Sequence, residues 1–198
     1  MTLVVEDLHF AYNEGAAIVR GLNLELGDGQ RIALSAPSGA GKTTVCQLMA
    51  GYLRPDSGRV LLDGKPLPRR AYCPVQMIWQ HPEKSVNPLL RMKTVLAEGD
   101  RIDPQVISGL GIEDAWLERY PTELSGGEIQ RFCIARALGA GTRYLIADEI
   151  TTMLDAVSQA AIWRFLLRET KRRGIGMLIV THGPALSGFL TDHQVVLA

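Results

Sequence analysis

A glycine-rich segment at residues 34–44 restricts what this chain can fold into more than any other stretch, and it reads Leu-Ser-Ala-Pro-Ser-Gly-Ala-Gly-Lys-Thr-Thr. It follows the short apolar run 31–34 and precedes a helix-compatible run at 45–50. This order of strand, turn and helix, ending in Gly-Lys-Thr, is typical of a phosphate-binding loop. Such a loop curls backbone N–H groups around an anion at a helix N-terminus. An ordinary flexible turn before a helix is the alternative interpretation.

Ala36 is the position at which this segment departs from the G-x-x-x-x-G-K-[ST] pattern, because it stands in place of the first glycine. Gly39 and Gly41 can take left-handed backbone angles without steric cost, whereas Ala36 fits only if its φ is negative. We expect the phosphate-binding residues to be Ser38, Gly39, Ala40, Gly41, Lys42, Thr43 and Thr44.

Composition indicates a single globular domain, since 46% of the 198 residues are hydrophobic and 21% are charged. The formal net charge is zero, which argues against a surface that binds nucleic acid through bulk positive charge. We therefore predict no nucleic-acid partner. Cys46, Cys73 and Cys133 lack metal-ligand spacing, so we expect small buried thiols in a reduced compartment. No run approaches the ~20 apolar residues of a membrane helix, and any work at a membrane would require a partner.

Hydrophobic periodicity predicts the fold class, an α/β fold with a parallel-sheet core, an N-terminal antiparallel β-subdomain and an inserted helical subdomain. Alternating apolar runs within 2–10 and 17–26, and again at 59–62, favour the antiparallel part. From residue 144 onward apolar runs alternate with a helix over 155–172, on which Val157, Ala161 and Phe165 are expected to share one face. The intervening region contains short helices.

These patterns predict one domain, 1–198, with three parts. The antiparallel β-subdomain is expected at 1–30 and 57–74. The core is expected at 31–56 with 75–83 and 139–198, and the helical subdomain at 84–138.

Two acids, Asp148 and Glu149, end the apolar run 144–147. Magnesium prefers oxygen ligands, so a carboxylate at a strand end and the Thr43 hydroxyl of the loop predict a Mg²⁺ site. Glu149 is then the candidate to polarise an attacking water. Adjacent acids in a solvated loop are the alternative.

Gln80 and His182 also follow apolar runs, and in a doubly wound sheet such positions lie at the same crevice. A histidine after an apolar run is equally explained by a structural role.

The segment 124–131, Leu-Ser-Gly-Gly-Glu-Ile-Gln-Arg, predicts a second anion site, because a serine hydroxyl and two glycine amides open a helix. A simple N-capped helix would explain the serine but not the eight-residue run.

With these motifs in order, the chain resembles the nucleotide-binding subunit of an ABC transporter, a P-loop NTPase with a RecA-like core, over nearly its full length. The resemblance implies that Tyr12 stacks on adenine and that the catalytic residues are Lys42, Gln80, Glu149 and His182. It implies Mg²⁺ ligands at Thr43, Gln80 and Asp148. It further implies that ATP held by the opposite subunit is contacted by the signature residues Ser125, Gly126, Gly127 and Glu128.

The same resemblance implies an ATPase coupled to transport, with ATP and Mg²⁺ as cofactors and a second ATPase subunit, identical or not. Membrane-spanning permease subunits and an extracytoplasmic substrate-binding protein would be its partners, at the inner face of the cell membrane. Residues 79–88 are similar to ATPases of the peptide and nickel uptake group. A non-transport ABC ATPase and a hydrolysis-deficient ATP-binding regulatory module are the alternatives.

Overall fold

Two β-sheets with different hydrogen-bonding patterns organise the computed structural model, which describes residues 1–12, 15–181 and 184–197. The antiparallel sheet has the order β2-β1-β4-β5, with β1 Thr2–Phe10, β2 Val19–Gly27, β4 Ser57–Leu62 and β5 Lys65–Pro66. The parallel sheet has the order β6-β7-β8-β3-β9, with β3 Arg31–Ser35, β6 Val75–Ile78, β7 Tyr144–Asp148, β8 Gly176–Val180 and β9 His193–Val196. The predicted combination of an antiparallel sheet and a parallel core is confirmed.

Strands β7 and β8 are buried along their whole length, as expected of parallel strands covered on both faces. Successive side chains of β7 alternate between two apolar cores. Tyr144 and Ile146 join the core beneath the antiparallel sheet, whereas Leu145 and Ala147 join the core beneath the helical region. The parallel sheet therefore separates the two cores.

The antiparallel sheet packs its inward face through alternating residues of β1, including Leu3, Val5 and Leu8. The alternation breaks at Asp7, which has φ 44° and lies at a register shift between β1 and β2. Gly58 of β4 passes close to this irregularity, and a Cβ there would lie 2.2 Å from the Asp7 carbonyl oxygen. The close approach of the β1 and β4 backbones at Asp7 therefore requires glycine at position 58.

The helices are α1 Lys42–Met49, α2 Met92–Ala97, α3 Pro104–Gly109, α4 Asp114–Leu117, α5 Gly126–Ala137, α6 Ala156–Arg173 and α7 Pro184–Leu190, with 3₁₀ turns at Pro82–Lys84 and Pro121–Glu123. Four of them, α2 to α5, fall in the region 84–138, and Ile129, Cys133 and Ala137, at four-residue spacing on α5, are all buried. The three-part division with its boundaries remains our proposal. No helix in the described ranges is long and apolar enough to cross a membrane.

The predicted apolar face of α6 is wrong. Val157 is 80% exposed and Ala161 is exposed, while the buried side chains include Ile162 and Leu166. Four-residue steps advance by about 40° around a helix, so a ladder that begins at Val157 reaches the buried side only at Phe165. Asp155, expected as the first helical residue, is the N-cap, and its side chain accepts hydrogen bonds from the N–H groups of Val157 and Ser158.

Cys46 and Cys133 are buried, but Cys73 is only partly buried. Burial and then the nearby charge of Asp148 raise the pKa of the Cys46 thiol well above its usual value, so this thiol stays protonated near neutral pH.

Candidate nucleotide-binding site

The segment between β3 and α1 is a tight loop built on two left-handed glycines, Gly39 with φ 80° and Gly41 with φ 89°. Gly41 is the N-cap of α1, and a Cβ there would lie 2.4 Å from Cγ2 of Ile18. At Gly39 an added Cβ would meet nothing within 4 Å. Glycine is thus required at 41 by conformation and by space, and at 39 by conformation alone.

Ala36 satisfies the condition set from the sequence. Among the described residues, the non-glycine positions with positive φ are Asp7, Asp63 and Glu149, so the Ala36 backbone does not need the left-handed region. Its carbonyl accepts a hydrogen bond from Nζ of Lys42 at 2.9 Å, and the carbonyl of Pro37 accepts another at 3.0 Å. The buried ammonium of Lys42 therefore holds the loop curled above the start of α1.

Thr43 and Asp148 meet although 105 residues separate them. The Thr43 hydroxyl donates to Oδ2 of Asp148 at 2.7 Å, and Asp148 is 2% exposed at the end of β7. Strand order explains the contact, because β3 is separated from β7 only by β8 and all three strands run parallel. Two of the three side chains predicted to bind Mg²⁺ therefore lie side by side.

Glu149 follows Asp148 in a backbone conformation that is rare for its residue type, with φ 51°. Its N–H donates to the carbonyl of Val180 at 3.0 Å, and its own carbonyl accepts from the N–H and hydroxyl of Thr152 at 3.2 and 3.0 Å. Oε2 of its carboxylate accepts from Nε2 of Gln80 at 3.0 Å. The structure thus joins the candidate base to Gln80.

Tyr12 lies beside α1 rather than in the loop. Its ring makes an edge contact with Phe10, with 4.9 Å between centroids, and its hydroxyl lies 3.3 Å from Oγ1 of Thr44 and donates to Oε1 of Gln47 at 3.5 Å. The ring remains 46% exposed. A flat aromatic surface is therefore available next to the loop.

Residues 125–128 form a capping box at the start of α5. The N–H and then the hydroxyl of Ser125 donate to Oε2 of Glu128, at 2.6 and 2.8 Å, and these two bonds lower the pKa of the Glu128 carboxyl. In return the Glu128 N–H donates to Oγ of Ser125 at 3.3 Å. An added Cβ at Gly126 would meet nothing within 4 Å, and one at Gly127 would lie 3.0 Å from Leu154. In the described ranges no hydrogen bond joins 125–128 to 36–44.

A cavity of about 730 Å³ extends from Thr43 and Asp148 to Cys133 and Arg136 of α5, and Trp79 lies along it. Among the described residues, no group of three or more His, Cys, Asp or Glu side chains is arranged to hold a metal ion. The predicted role of His182 lies outside the described residues.

Sequence reasoning missed the groups that fix the loop after Glu149. The Thr151 hydroxyl accepts hydrogen bonds from Nε2 of Gln159 at 2.8 Å and from Nε1 of Trp163 at 3.0 Å, both on α6. A buried threonine three residues after an acidic strand end gives no recognisable signal in one sequence.

Comparisons with known proteins agree with this geometry. The chain matches the ABC transporter family over residues 19–152. Nickel import ATP-binding protein NikE of Escherichia coli O6:K15:H31 (strain 536) is 31% identical over 210 residues, covering 92% of this chain and 78% of that protein. NikE of Shigella dysenteriae serotype 1 gives the same identity and coverage.

Solved structures share the fold. A dimeric ATP-binding cassette, MJ0796, in a post-hydrolysis state bound to ADP and Pi, superposes with a TM-score of 0.83 at 22% identity and covers 98% of this chain and 94% of its own. The cbiO1 protein from Clostridium perfringens, part of the ABC transporter complex cbiONQ, gives a TM-score of 0.79 at 26% identity, covering 98% and 84%. The resemblance read from the motifs is confirmed, and the chain belongs to the ABC transporter family as an ATP-binding subunit and an ATPase.

Proposed function

We propose that this chain is the ATP-hydrolysing subunit of an ABC importer for peptides, nickel or a metal chelate, working at the inner face of the cell membrane. The observation that carries the proposal is the convergence of Lys42, Thr43, Asp148, Glu149 and Gln80 at one edge of the parallel sheet. A phosphate cradle, a carboxylate with a hydroxyl, and a second carboxylate are the parts that phosphoryl transfer requires.

The loop residues would bind the triphosphate of ATP. Backbone N–H groups of Ser38, Gly39, Ala40 and Gly41 lead into the N-terminus of α1, where the helix dipole favours an anion. Lys42 would stabilise charge on the phosphates, and the hydroxyls of Thr43 and Thr44 would complete the cradle. The exposed ring of Tyr12, held beside Thr44, offers a stacking surface for adenine.

The oxygen groups present fit a magnesium ion. Mg²⁺ is commonly held by one or two carboxylates together with substrate phosphates, and Thr43 and Asp148 place a hydroxyl and a carboxylate 2.7 Å apart. The amide oxygen of Gln80 is the third candidate ligand. When bound, Mg²⁺ supplies positive charge to the phosphate oxygens. The chain's own contribution is to hold these three side chains at one strand edge.

Glu149 is proposed to act as the general base that orients and polarises the attacking water, and His182 remains a proposed catalytic residue on the resemblance alone. Geometry supports the role of Glu149, because this residue directly follows Asp148, a candidate Mg²⁺ ligand, and its carboxylate accepts a hydrogen bond from Gln80. That bond holds the Glu149 carboxylate in one orientation within the site, which is the positioning that general base catalysis depends on.

A second subunit, identical or not, would complete each site with its Ser125, Gly126, Gly127 and Glu128. The lack of hydrogen bonds between 125–128 and 36–44 within the described part of one chain supports this arrangement. The dimeric state of the cassette MJ0796 is the precedent for it. The membrane-spanning partners would dock at the cavity beside Trp79. Closure of the ATPase dimer would then move this docking surface and the partners bound to it. An extracytoplasmic substrate-binding protein would deliver the cargo, and the NikE relatives favour nickel.

Changing Glu149 to Gln tests the proposal. The isosteric amide cannot accept the water's proton, so kcat for ATP hydrolysis should fall by about a hundredfold or more. ATP-bound dimer should accumulate, which light scattering after size exclusion would measure. Glu25→Gln is the matched control, because Glu25 is exposed on β2 away from the loop.

Wild-type turnover in Glu149→Gln would refute the assignment of the base. Co-purification of the chain with a membrane-spanning protein, and stimulation of its ATPase by that protein, would distinguish a transport role from a non-transport ATPase.

A further inference from the structure

Gln130, in the first half of α5, is a buried polar side chain that the proposed chemistry does not use. It is 2% exposed, and its Nε2 donates to the backbone carbonyl of Trp79 at a long 3.4 Å. Within the described part of the chain, its buried Oε1 has no hydrogen-bond partner. A buried amide with one long bond and an unsatisfied acceptor stabilises a fold poorly, and an apolar side chain of the same shape would serve at least as well.

The bond from Gln130 ends on the peptide group that carries Gln80. The Trp79 carbonyl belongs to the same peptide unit as the Gln80 nitrogen, and the Gln80 side chain contacts Glu149 at 3.0 Å. A displacement of Gln130 therefore acts on the peptide that positions Gln80, and through it on the candidate base.

Hydrogen bonds fix both ends of the helix that carries Gln130. Its N-terminus is closed by the capping box between Ser125 and Glu128. Beyond its C-terminus the guanidinium of Arg173 donates to the carbonyls of Leu138 and Gly139 at 2.7 and 2.6 Å. Gln130 lies five residues after Ser125, about 7.5 Å along the axis. Residues 126–128 and Gln130 thus lie on one hydrogen-bonded helix capped by Ser125, which gives a displacement of 125–128 a direct route to Gln130.

We propose that Gln130 is a positioning residue that couples the segment 125–128 to Glu149 of the same subunit through the Trp79–Gln80 peptide. This inference rests on the proposed function, in which 125–128 contacts ATP held by the second subunit. ATP bound at one site of the dimer then sets the base at the other site. The coupling makes hydrolysis cooperative in ATP.

Gln130→Met tests this, because methionine keeps the shape of the side chain and removes the donor. Gln76→Met is the matched control: Gln76 on β6 also donates to a backbone carbonyl, that of Cys73, at 2.7 Å. Steady-state ATPase of the full chain against ATP concentration gives kcat, KM and the Hill coefficient, and thermal unfolding gives Tm.

We expect Gln130→Met to lower kcat by roughly two- to thirtyfold and to reduce the Hill coefficient to one. ATP affinity of the monomer and Tm should stay at or above the wild-type values, and Gln76→Met should keep both kinetic parameters. In a Gln80→Ala background, Gln130→Met should cause no further loss, since both changes act on the same link.

A wild-type kcat and Hill coefficient in Gln130→Met would overturn the coupling, and so would losses that add to those of Gln80→Ala. Unfolding of both Gln130→Met and Gln130→Leu would also overturn it, by showing that the amide is structural. The Glu149→Gln variant distinguishes a failure of the proposed function from a failure of the coupling. If it turns over normally the proposed function fails, and if it is inactive while Gln130→Met is normal only the coupling fails.

Discussion

Ala36→Gly restores the glycine that the phosphate-loop pattern calls for, and we expect it to give no gain in activity. The Ala36 backbone lies outside the left-handed region, and the carbonyl that accepts from Lys42 Nζ is a main-chain group that glycine retains. The loop conformation is therefore already available to alanine, and a more permissive residue has nothing to relieve.

The expected cost arises in the unfolded state. Glycine has more conformational freedom to lose on folding, which destabilises by about 0.4–1 kcal/mol when the native φ suits alanine. For a domain of this size each kcal/mol lowers Tm by about 2–4 °C, so Tm of Ala36→Gly should fall by about 1–4 °C. The kcat of ATP hydrolysis should stay within about twofold of wild type, since no reacting group moves.

Gly39→Ala is the matched control. Its φ is 80° and an added Cβ would meet nothing within 4 Å, so the substitution adds backbone strain without a clash. Strain of about 1–2 kcal/mol in the loop should weaken ATP binding by about five- to thirtyfold. Isothermal titration with ATP, with thermal unfolding of the same samples, measures both variants. Tighter ATP binding or faster turnover in Ala36→Gly would refute the reasoning, because it would mean that Ala36 strains the loop.

Two further predictions concern stability. Thr151→Val leaves Nε1 of Trp163 and Nε2 of Gln159 without their acceptor, which should cost about 1–3 kcal/mol in urea unfolding; unchanged stability would show that the bonds are dispensable. Asp63 is exposed, and hydrogen bonding from Arg143 lowers the pKa of its carboxyl. A lowered folded-state pKa gives stability that is present above the unfolded pKa and lost as pH falls through the folded pKa. Tm of Asp63→Asn should therefore fall less than that of wild type on acidification, and parallel curves would contradict this.

The candidate site could be predicted where its residues belong to contiguous motifs. Lys42 and Thr43 are recognisable because the geometry of a phosphate loop requires neighbouring residues, and Asp148 because it ends an apolar strand. Their meeting could be inferred only from the rule that parallel strands present their carboxyl ends at one edge. This rule does not say how close two particular side chains at that edge will lie. The 2.7 Å contact between Thr43 and Asp148 depends on the strand order, which periodicity does not encode.

The face of α6 could not be read from apolar spacing, because its buried side also carries Glu169 and Thr170, at 6% and 2% exposure. The Glu169 carboxylate is paired with Arg172 at 2.7 Å, and the Thr170 hydroxyl donates to the carbonyl of Leu166 at 2.7 Å. Polar residues satisfied within the helix enter the core, while the apolar Val157 remains exposed. A search for apolar residues at helical spacing therefore places Glu169 and Thr170 on the exposed face and Val157 on the buried face, the reverse of what the structure shows.

The conformation of Glu149 links this hidden part of the fold to the proposed chemistry. A left-handed backbone at a glutamate costs about 1–2 kcal/mol and persists only where surrounding contacts determine it. Here Val180 fixes the N–H, Thr152 fixes the carbonyl, and Thr151 ties the following residues to α6 through Trp163. These contacts turn the chain sharply after β7, so that the Glu149 carboxylate meets Gln80 instead of continuing along the strand. The same contacts therefore stabilise the segment 149–152 and position the carboxylate of the proposed base. A substitution that weakens the anchor at Thr151 should lower kcat as well as Tm, whereas Asp63→Asn, which alters the pairing with Arg143 just before the start of β7, should lower Tm alone.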